Sequence, residues 1–406
     1  MTVMNDIMEV AKKTWDRSPM FQKLYNINDI KDFESIPFIT KSTLLEDQKK
    51  NPPFGSNLVV EKKDLCRVHR TSGTTQRPLL LTLTKKDMEI VHTVGSKAFR
   101  IAGLAEDDIV FNCMNYSMWM GGFTDHLSLE KAGGCVVPYG VGNTENLISL
   151  LLEIDNPSLH CTPSYLNIIK KVLHEKFNKS PRELGLKKGF FGGEGGLQDK
   201  SFRDRIEEEW GLEAINANYG MSDVISILGS ECKVKDNLHF VANEYLYIEL
   251  INSELKKVPF EVGAEGELVV TTLQKESQPL IRYRTSDVIK IISTDPCSCG
   301  EESFRFKVVG RADDMITIKG INFYPDSLRD IISNYKSFSI NYQIEVENKS
   351  PLETFTLILE KVSEDYKSEI DSLLNEINKK FYVKPNVKVL DKIQIEGNKI
   401  KSLKKV

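Results

Sequence analysis

Residues 70–78 read Arg-Thr-Ser-Gly-Thr-Thr-Gln-Arg-Pro and crowd four hydroxyls, one glycine and two arginines into nine positions. Such a stretch can surround phosphate oxygens. Gly73 lets the backbone approach a ligand, and Thr71, Ser72, Thr74 and Thr75 offer hydroxyls beside successive N–H groups. Arg77 adds a charge-assisted donor, and Pro78 stiffens the exit. An ordinary turn between two strands would use the same residue types. A Walker-type loop is excluded, because the Gly-Lys-Ser/Thr ending is missing and an apolar strand-like run, 79–83, follows. A second group with chemistry is Cys232, His239, Cys297 and Cys299. Three thiolates and one imidazole make a tetrahedral zinc set, although four unrelated residues with the last two in a turn would look the same.

Elements of two kinds must position these groups. From residue 108 onward, short apolar runs at 109–113, 135–138, 159–162, 189–192 and 214–217 alternate with helical stretches. This pattern predicts an α/β fold with a doubly wound parallel sheet, whose ligands bind at the carboxyl ends of the strands. After residue 219, alternation at 245–250 and 267–272 predicts a β subdomain. The last ~95 residues read as a small α+β unit. A helix is expected from about 85 to 102, and Thr40 or Ser42 is a plausible N-cap upstream.

The net charge of −4 gives no reason to expect nucleic acid or an anionic membrane as partner. No apolar run approaches the ~20 residues of a spanning helix. Seven cysteines, an odd number over a long chain, suit a reducing compartment, so a cytoplasmic location is expected. Cys66, Cys113, Cys135 and Cys161 sit in or beside apolar runs and read as core.

The loop at 70–78 resembles the phosphate loop of the adenylate-forming enzymes, Ser-Ser-Gly-Thr-Thr-Gly-Lys-Pro, with Gln76 and Arg77 in place of Gly-Lys. Further stretches resemble that family's motifs in order: Asn218-Tyr219-Gly220-Met221-Ser222-Asp223, Arg282 to Asp287, Gly310-Arg311-Ala312-Asp313-Asp314, Lys319 to Pro325, and Gly397-Asn398-Lys399-Ile400. Asp223 stands where the family has Glu, and Ser286 where it has Gly. With the cysteine–histidine set also in place, the chain resembles the phenylacetate–CoA ligase family over nearly its whole length.

The resemblance implies ATP-dependent conversion of a carboxylic acid to an acyl-adenylate, followed by capture with coenzyme A. A carrier-protein phosphopantetheine arm or an amine is the alternative acceptor, and a nucleotide-binding protein that no longer turns over is the alternative of another class. It implies a large domain, 1–310, and a mobile small domain, 311–406, hinged at Asp313. Catalytic roles fall to Lys399, Asp223 (through Mg²⁺) and Thr71. Nucleotide contacts are implied for Ser72, Gly73, Thr74, Thr75, Arg77, Gly193, Glu194, Asn218, Tyr219, Gly220, Met221, Ser222, Asp287 and Arg311. Zinc on Cys232, His239, Cys297 and Cys299 would be structural. Tyr116, Met118, Trp119, Gly121, Phe123 and Gly192 would wrap the acid, most readily an aromatic one. No basic residue lies within 115–122 to hold a second carboxylate. The expected partners are a small-molecule acid and its acceptor, in a monomer or homodimer.

Overall fold

A computed structural model describes residues 2–71, 78–318, 321–346, 354–393 and 403–405. Ser72, Gly73, Thr74, Thr75 and Arg77 of the loop, Lys319 and Gly320, and Lys399 lie outside the described residues.

Strands β1 (Leu65–Arg70) and β2 (Leu80–Thr84) form an antiparallel hairpin that frames the hydroxyl-rich loop. Thr84 then starts the helix Lys85–Ile101 by a reciprocal cap with Asp87, a pairing that contributes about 1 kcal/mol. Val91, Val94 and Ala98 of this helix face the core. Upstream, Thr40 caps the helix Lys41–Lys50.

The apolar runs become β3 (Ile109–Asn112), β4 (Cys135–Val137), β5 (Ser158–Cys161), β6 (Lys188–Gly192) and β7 (Glu213–Met221). They lie in the order β4-β3-β5-β6-β7, all parallel. The chain leaves β3 to one side and returns on the other, which opens a crevice between the carboxyl ends of β3 and β5.

The β subdomain is continuous with this sheet. The nine-residue β7 pairs parallel with β6 and, through Tyr219 and Met221, antiparallel with β8 (Ile225–Glu231). From there β9 (Leu238–Phe240), β10 (Leu246–Ile251), β11 (Lys257–Val258), β12 (Glu265–Thr272), β13 (Tyr283–Ser293) and β14 (Arg305–Arg311) extend it to twelve strands.

Beyond β14, the hairpin β15 (Ile316–Ile318) and β16 (Ile321–Phe323) leads into a second, four-stranded sheet. That sheet contains β17 (Phe338–Val346), β18 (Thr356–Lys361), β19 (Asn386–Leu390) and β20 (Leu403–Lys405). It has its own apolar core, including Leu328, Ile331, Phe338, Leu357 and Leu373. Cys113 and Cys161 are buried as expected, but Cys66 and Cys135 are exposed. Cys66 belongs to the two-stranded hairpin, and Cys135 starts the edge strand β4, so neither is covered on both faces.

Candidate active site

The crevice at β3 and β5 is walled by the helix Met120–Ala132 and the segment before it. Tyr116 is placed by its hydroxyl, which accepts from Asn112 Nδ2 at 2.9 Å and meets His126 Nδ1 at 3.1 Å. Its ring meets Phe123 edge-on, 5.9 Å between centroids. Met118 has φ +63° and is exposed, and Phe123 is exposed as well. The Met118 carbonyl accepts from Arg70 N and His69 Nδ1, which ties this wall to β1. Trp119 precedes the helix, and Gly121 lies in its first turn. Across the crevice, Gly192 leaves room for Asn218, since a Cβ there would lie 2.4 Å from the Asn218 Cβ.

Arg67, which the sequence reading missed, stacks its guanidinium 4.5 Å from the Phe123 ring centre. Among the described residues no acid pairs with it. It comes from β1, more than fifty residues from Phe123, and the tie of His69 and Arg70 to Met118 holds the two segments together.

Beneath the crevice lies a buried polar network. His160 Nδ1 faces the Phe190 carbonyl at 2.8 Å and therefore carries a proton, while Nε2 meets Asp125 Oδ2 at 3.0 Å. Burial pushes the Asp125 carboxyl up, and His160 and Ser226 hold it down only in part. Asn218 donates from Nδ2 to the same Asp125 oxygen at 2.6 Å. The Asn218 side chain therefore points inward in this structure, where the buried Asp125 oxygen is met by both Asn218 and His160.

The segments around Tyr219 and Tyr283 tie to each other crosswise. The Tyr219 hydroxyl donates to Asp287 Oδ2 at 2.8 Å, and the Tyr283 hydroxyl donates to Asp223 Oδ2. Asp287 on β13 and Asp223 in the turn after β7 are thereby each tied to the other's segment, and they are near enough to influence each other electrostatically. Burial pushes the Asp287 carboxyl up, against the pull of Arg311. Arg311 donates from Nη1 to Asp287 Oδ1 at 2.9 Å, and its Nε and Nη2 hold both oxygens of Asp313, also at 2.9 Å. Lys275, also missed in the sequence, donates to the Asp223 carbonyl at 2.7 Å. Burial pulls the Lys275 ammonium down, and Asp87 and Asp223 oppose this.

Tyr219 packs one side of its ring on Phe306, 5.4 Å between centroids. Gly220 and Met221 continue β7, and Ser222 lies in the turn before Asp223. Thr71 closes the neck of the loop: its N–H donates to the Leu79 carbonyl and its Oγ1 accepts from Leu79 N, both at 3.0 Å. Gly193 has φ +74° at the exit of β6. Glu194 uses both carboxylate oxygens on Ser164, accepting from its N at 3.1 Å and its Oγ at 2.8 Å. Glu194 thereby holds Ser164, the residue that starts the helix Tyr165–Val172.

Cys232, His239, Cys297 and Cys299 converge, with their ligand atoms all within 4.8 Å of one another. Pairing of β14 with β9 sets Arg305 opposite His239, and this brings the turn with both cysteines onto β9. Cys232 Sγ and Cys297 Sγ are 3.9 Å apart, and Cys299 Sγ is 3.7 Å from His239 Nε2. Tetrahedral zinc with Zn–S near 2.3 Å requires S···S separations of about 3.8 Å. The donor set fits that ion with four protein ligands.

A family described as the AMP-binding enzyme C-terminal domain matches residues 320–406. The chain is 31% identical over 369 residues to a phenylacetate–coenzyme A ligase of Thermus thermophilus, covering 88% of this chain and 80% of that protein. It is 30% identical over 359 residues to the phenylacetate–coenzyme A ligase of Aromatoleum evansii, covering 86% and 79%. Its fold matches the crystal structure of a 2-hydroxyisobutyryl-CoA ligase holding an acyl-adenylate, with a TM-score of 0.86 at 24% identity over 100% of this chain and 89% of that one. With the two carboxylates, the hydroxyl-rich hairpin and these relatives together, the chain belongs to the phenylacetate–CoA ligase family of adenylate-forming enzymes and is an AMP-forming acid–CoA ligase.

Proposed function

We propose that the acid activated is a flat, aromatic carboxylic acid, as the names of the curated relatives suggest, and that the residues brought together above divide the work. The acid's carboxylate attacks the α-phosphorus of ATP and pyrophosphate leaves. The thiol of coenzyme A then attacks the acyl carbon and AMP leaves. Tyr116, Met118, Trp119, Gly121, Phe123 and Gly192 wrap the ring, with Arg67 behind Phe123 as the basic residue that the local sequence lacks. Asp287 accepts from the ribose hydroxyls, Tyr219 stacks the adenine on its open face, and Arg311 faces the nucleotide. Thr71 and residues 72–77 surround the phosphates, and Lys399 supplies the cation between carboxylate and α-phosphate. Mg²⁺ would be held through Asp223 and would neutralise phosphate charge. Zinc on the cysteine–histidine set would be structural. The domains divide at 310/311, with rotation about Asp313 between the two half-reactions.

The observation that supports this reading best is the crosswise tie of Tyr219 to Asp287 and Tyr283 to Asp223, which links the two acids assigned here to the ribose and to the metal-bound phosphate. A carrier-bound pantetheine remains the second acceptor, since the same thiol chemistry serves both. Free thiols at all seven cysteines suit a reducing cytoplasm, and no helix among the described residues is long and apolar enough to cross a membrane. Acid-dependent ATP–pyrophosphate exchange, screened over phenylacetate, benzoates and short-chain acids, tests the proposal. Aryl acids should give the fastest exchange and should yield thioesters with free coenzyme A. Faster exchange with acetate or propionate would overturn the aromatic assignment.

A further inference from the structure

The arm of Arg329 crosses from the C-terminal unit to the loop that leaves β6. Its Nη1 donates to the Gly195 carbonyl at 2.8 Å, while Nη2 holds Asp326 of its own unit at 3.1 Å. One planar guanidinium therefore bonds both units at once, with donors in a fixed fork. The loop is shaped to receive it. Gly196 has φ +122°, and a Cβ there would lie 2.6 Å from the Arg329 Cδ, so no other residue type leaves the stem its path. The guanidinium also lies 6.0 Å from the Phe202 ring centre and 5.9 Å from that of Tyr342, one ring from each unit. Next to it, Ser201 Oγ donates to the Asp330 carbonyl at 3.1 Å.

The loop so braced is part of the site. Gly192 and Gly193 border the crevice and the nucleotide segment, and Glu194 of the same loop fixes Ser164 at the end of β5. We propose that Arg329 is a positioning residue that seats the C-terminal unit on this loop for adenylation and releases it for thioester formation. The inference rests on the reading that the C-terminal unit rotates between the half-reactions. A hydrogen bond of 2.8 Å to a backbone carbonyl does not survive rotation of the unit that carries its donor. The loop is therefore braced in one arrangement and free in the other.

The test uses full-length Arg329→Ala and Arg329→Lys with two separate assays: phenylacetate-dependent pyrophosphate exchange, and thioester formation from supplied phenylacetyl-adenylate and coenzyme A. The alanine variant should lose at least about tenfold in exchange. Its thioester rate from the supplied adenylate should stay within about twofold of wild type or rise. Lysine keeps the charge but lacks the rigid planar fork that holds Gly195 and Asp326 in fixed directions, so its ratio of the two rates should fall between the others. If the alanine variant fails to fold, the lysine variant decides alone, with Ser201→Ala shifting the ratio the same way. Equal loss in both half-reactions, with wild type active in both, would overturn this role for Arg329 and leave the ligase intact. Absence of exchange in wild type with every acid screened would overturn the adenylation reading and this inference with it.

Discussion

Asp287→Ala is the substitution whose size the structure sets most closely. A carboxylate that accepts two ribose hydroxyls makes charge-assisted bonds, each worth about 1.5–3 kcal/mol when its alternative is an unpaired group. Here the alternative is not an unpaired group. Before nucleotide binds, Asp287 already accepts from the Tyr219 hydroxyl at 2.8 Å and from Arg311 at 2.9 Å. Ribose binding therefore exchanges partners, and each bond contributes nearer the net value of about 0.5–1.5 kcal/mol. Two such bonds sum to about 1–3 kcal/mol, or roughly a 5–150-fold rise in the KM for ATP. The contact is made equally in ground and transition states, so kcat at saturating ATP should change little. Initial rates of acid-dependent pyrophosphate exchange over a range of ATP concentrations measure both constants. A fall in kcat of two orders of magnitude with KM for ATP unchanged would refute the reasoning and put Asp287 in the chemical step. The variant also removes one of the two carboxylates hydrogen-bonded to Arg311 among the described residues, so coenzyme A thioester formation from supplied adenylate serves as the control for hinge effects.

Purified wild-type protein should carry about one zinc per chain, and Cys297→Ser should lose it together with roughly 5 °C or more of melting temperature, while the activity surviving at low temperature keeps a near-normal ATP affinity; wild-type protein free of zinc by elemental analysis, prepared without chelator, would remove the site. Stability should also depend on pH through His92. Burial, with Arg67 nearby, pulls its pKa down to about 4, below the ~6.5 of an unfolded histidine. The unfolded chain thus takes up the proton first, and the contribution is complete above pH ~6.5 and lost as pH falls towards 4. Thermal melts at pH 7 and 5 should show a smaller acid decline in His92→Gln than in wild type, and an equal decline in both would show that His92 titrates normally.

Much of the site could be read along the chain because it is built from contiguous segments whose backbone does the work. The hydroxyl-rich loop, the Tyr219–Asp223 stretch, the Arg282–Asp287 stretch and the Gly310–Asp314 stretch each carry residue types that only a few chemistries need together. The alternation of short apolar runs with helices likewise determined the parallel sheet, since each run is just long enough to cross a buried layer. What joins these segments could not be read there. The sequence does not show that Tyr219 ties to Asp287 and Tyr283 to Asp223, because the bonds span 68 and 60 residues and depend on how β7 and β13 face each other. Nor does it show that Asn218 turns inward to Asp125, which needs a carboxylate from a helix ninety-three residues earlier. In the sequence Cys232, His239, Cys297 and Cys299 could be one zinc set or four unrelated residues; the pairing of β14 with β9 makes them one cluster. Arg67 reached Phe123, and Arg329 reached Gly195, for the same reason. A local segment fixes which groups are available, whereas hydrogen bonds between distant side chains are chosen by burial, which penalises every donor or acceptor left without a partner.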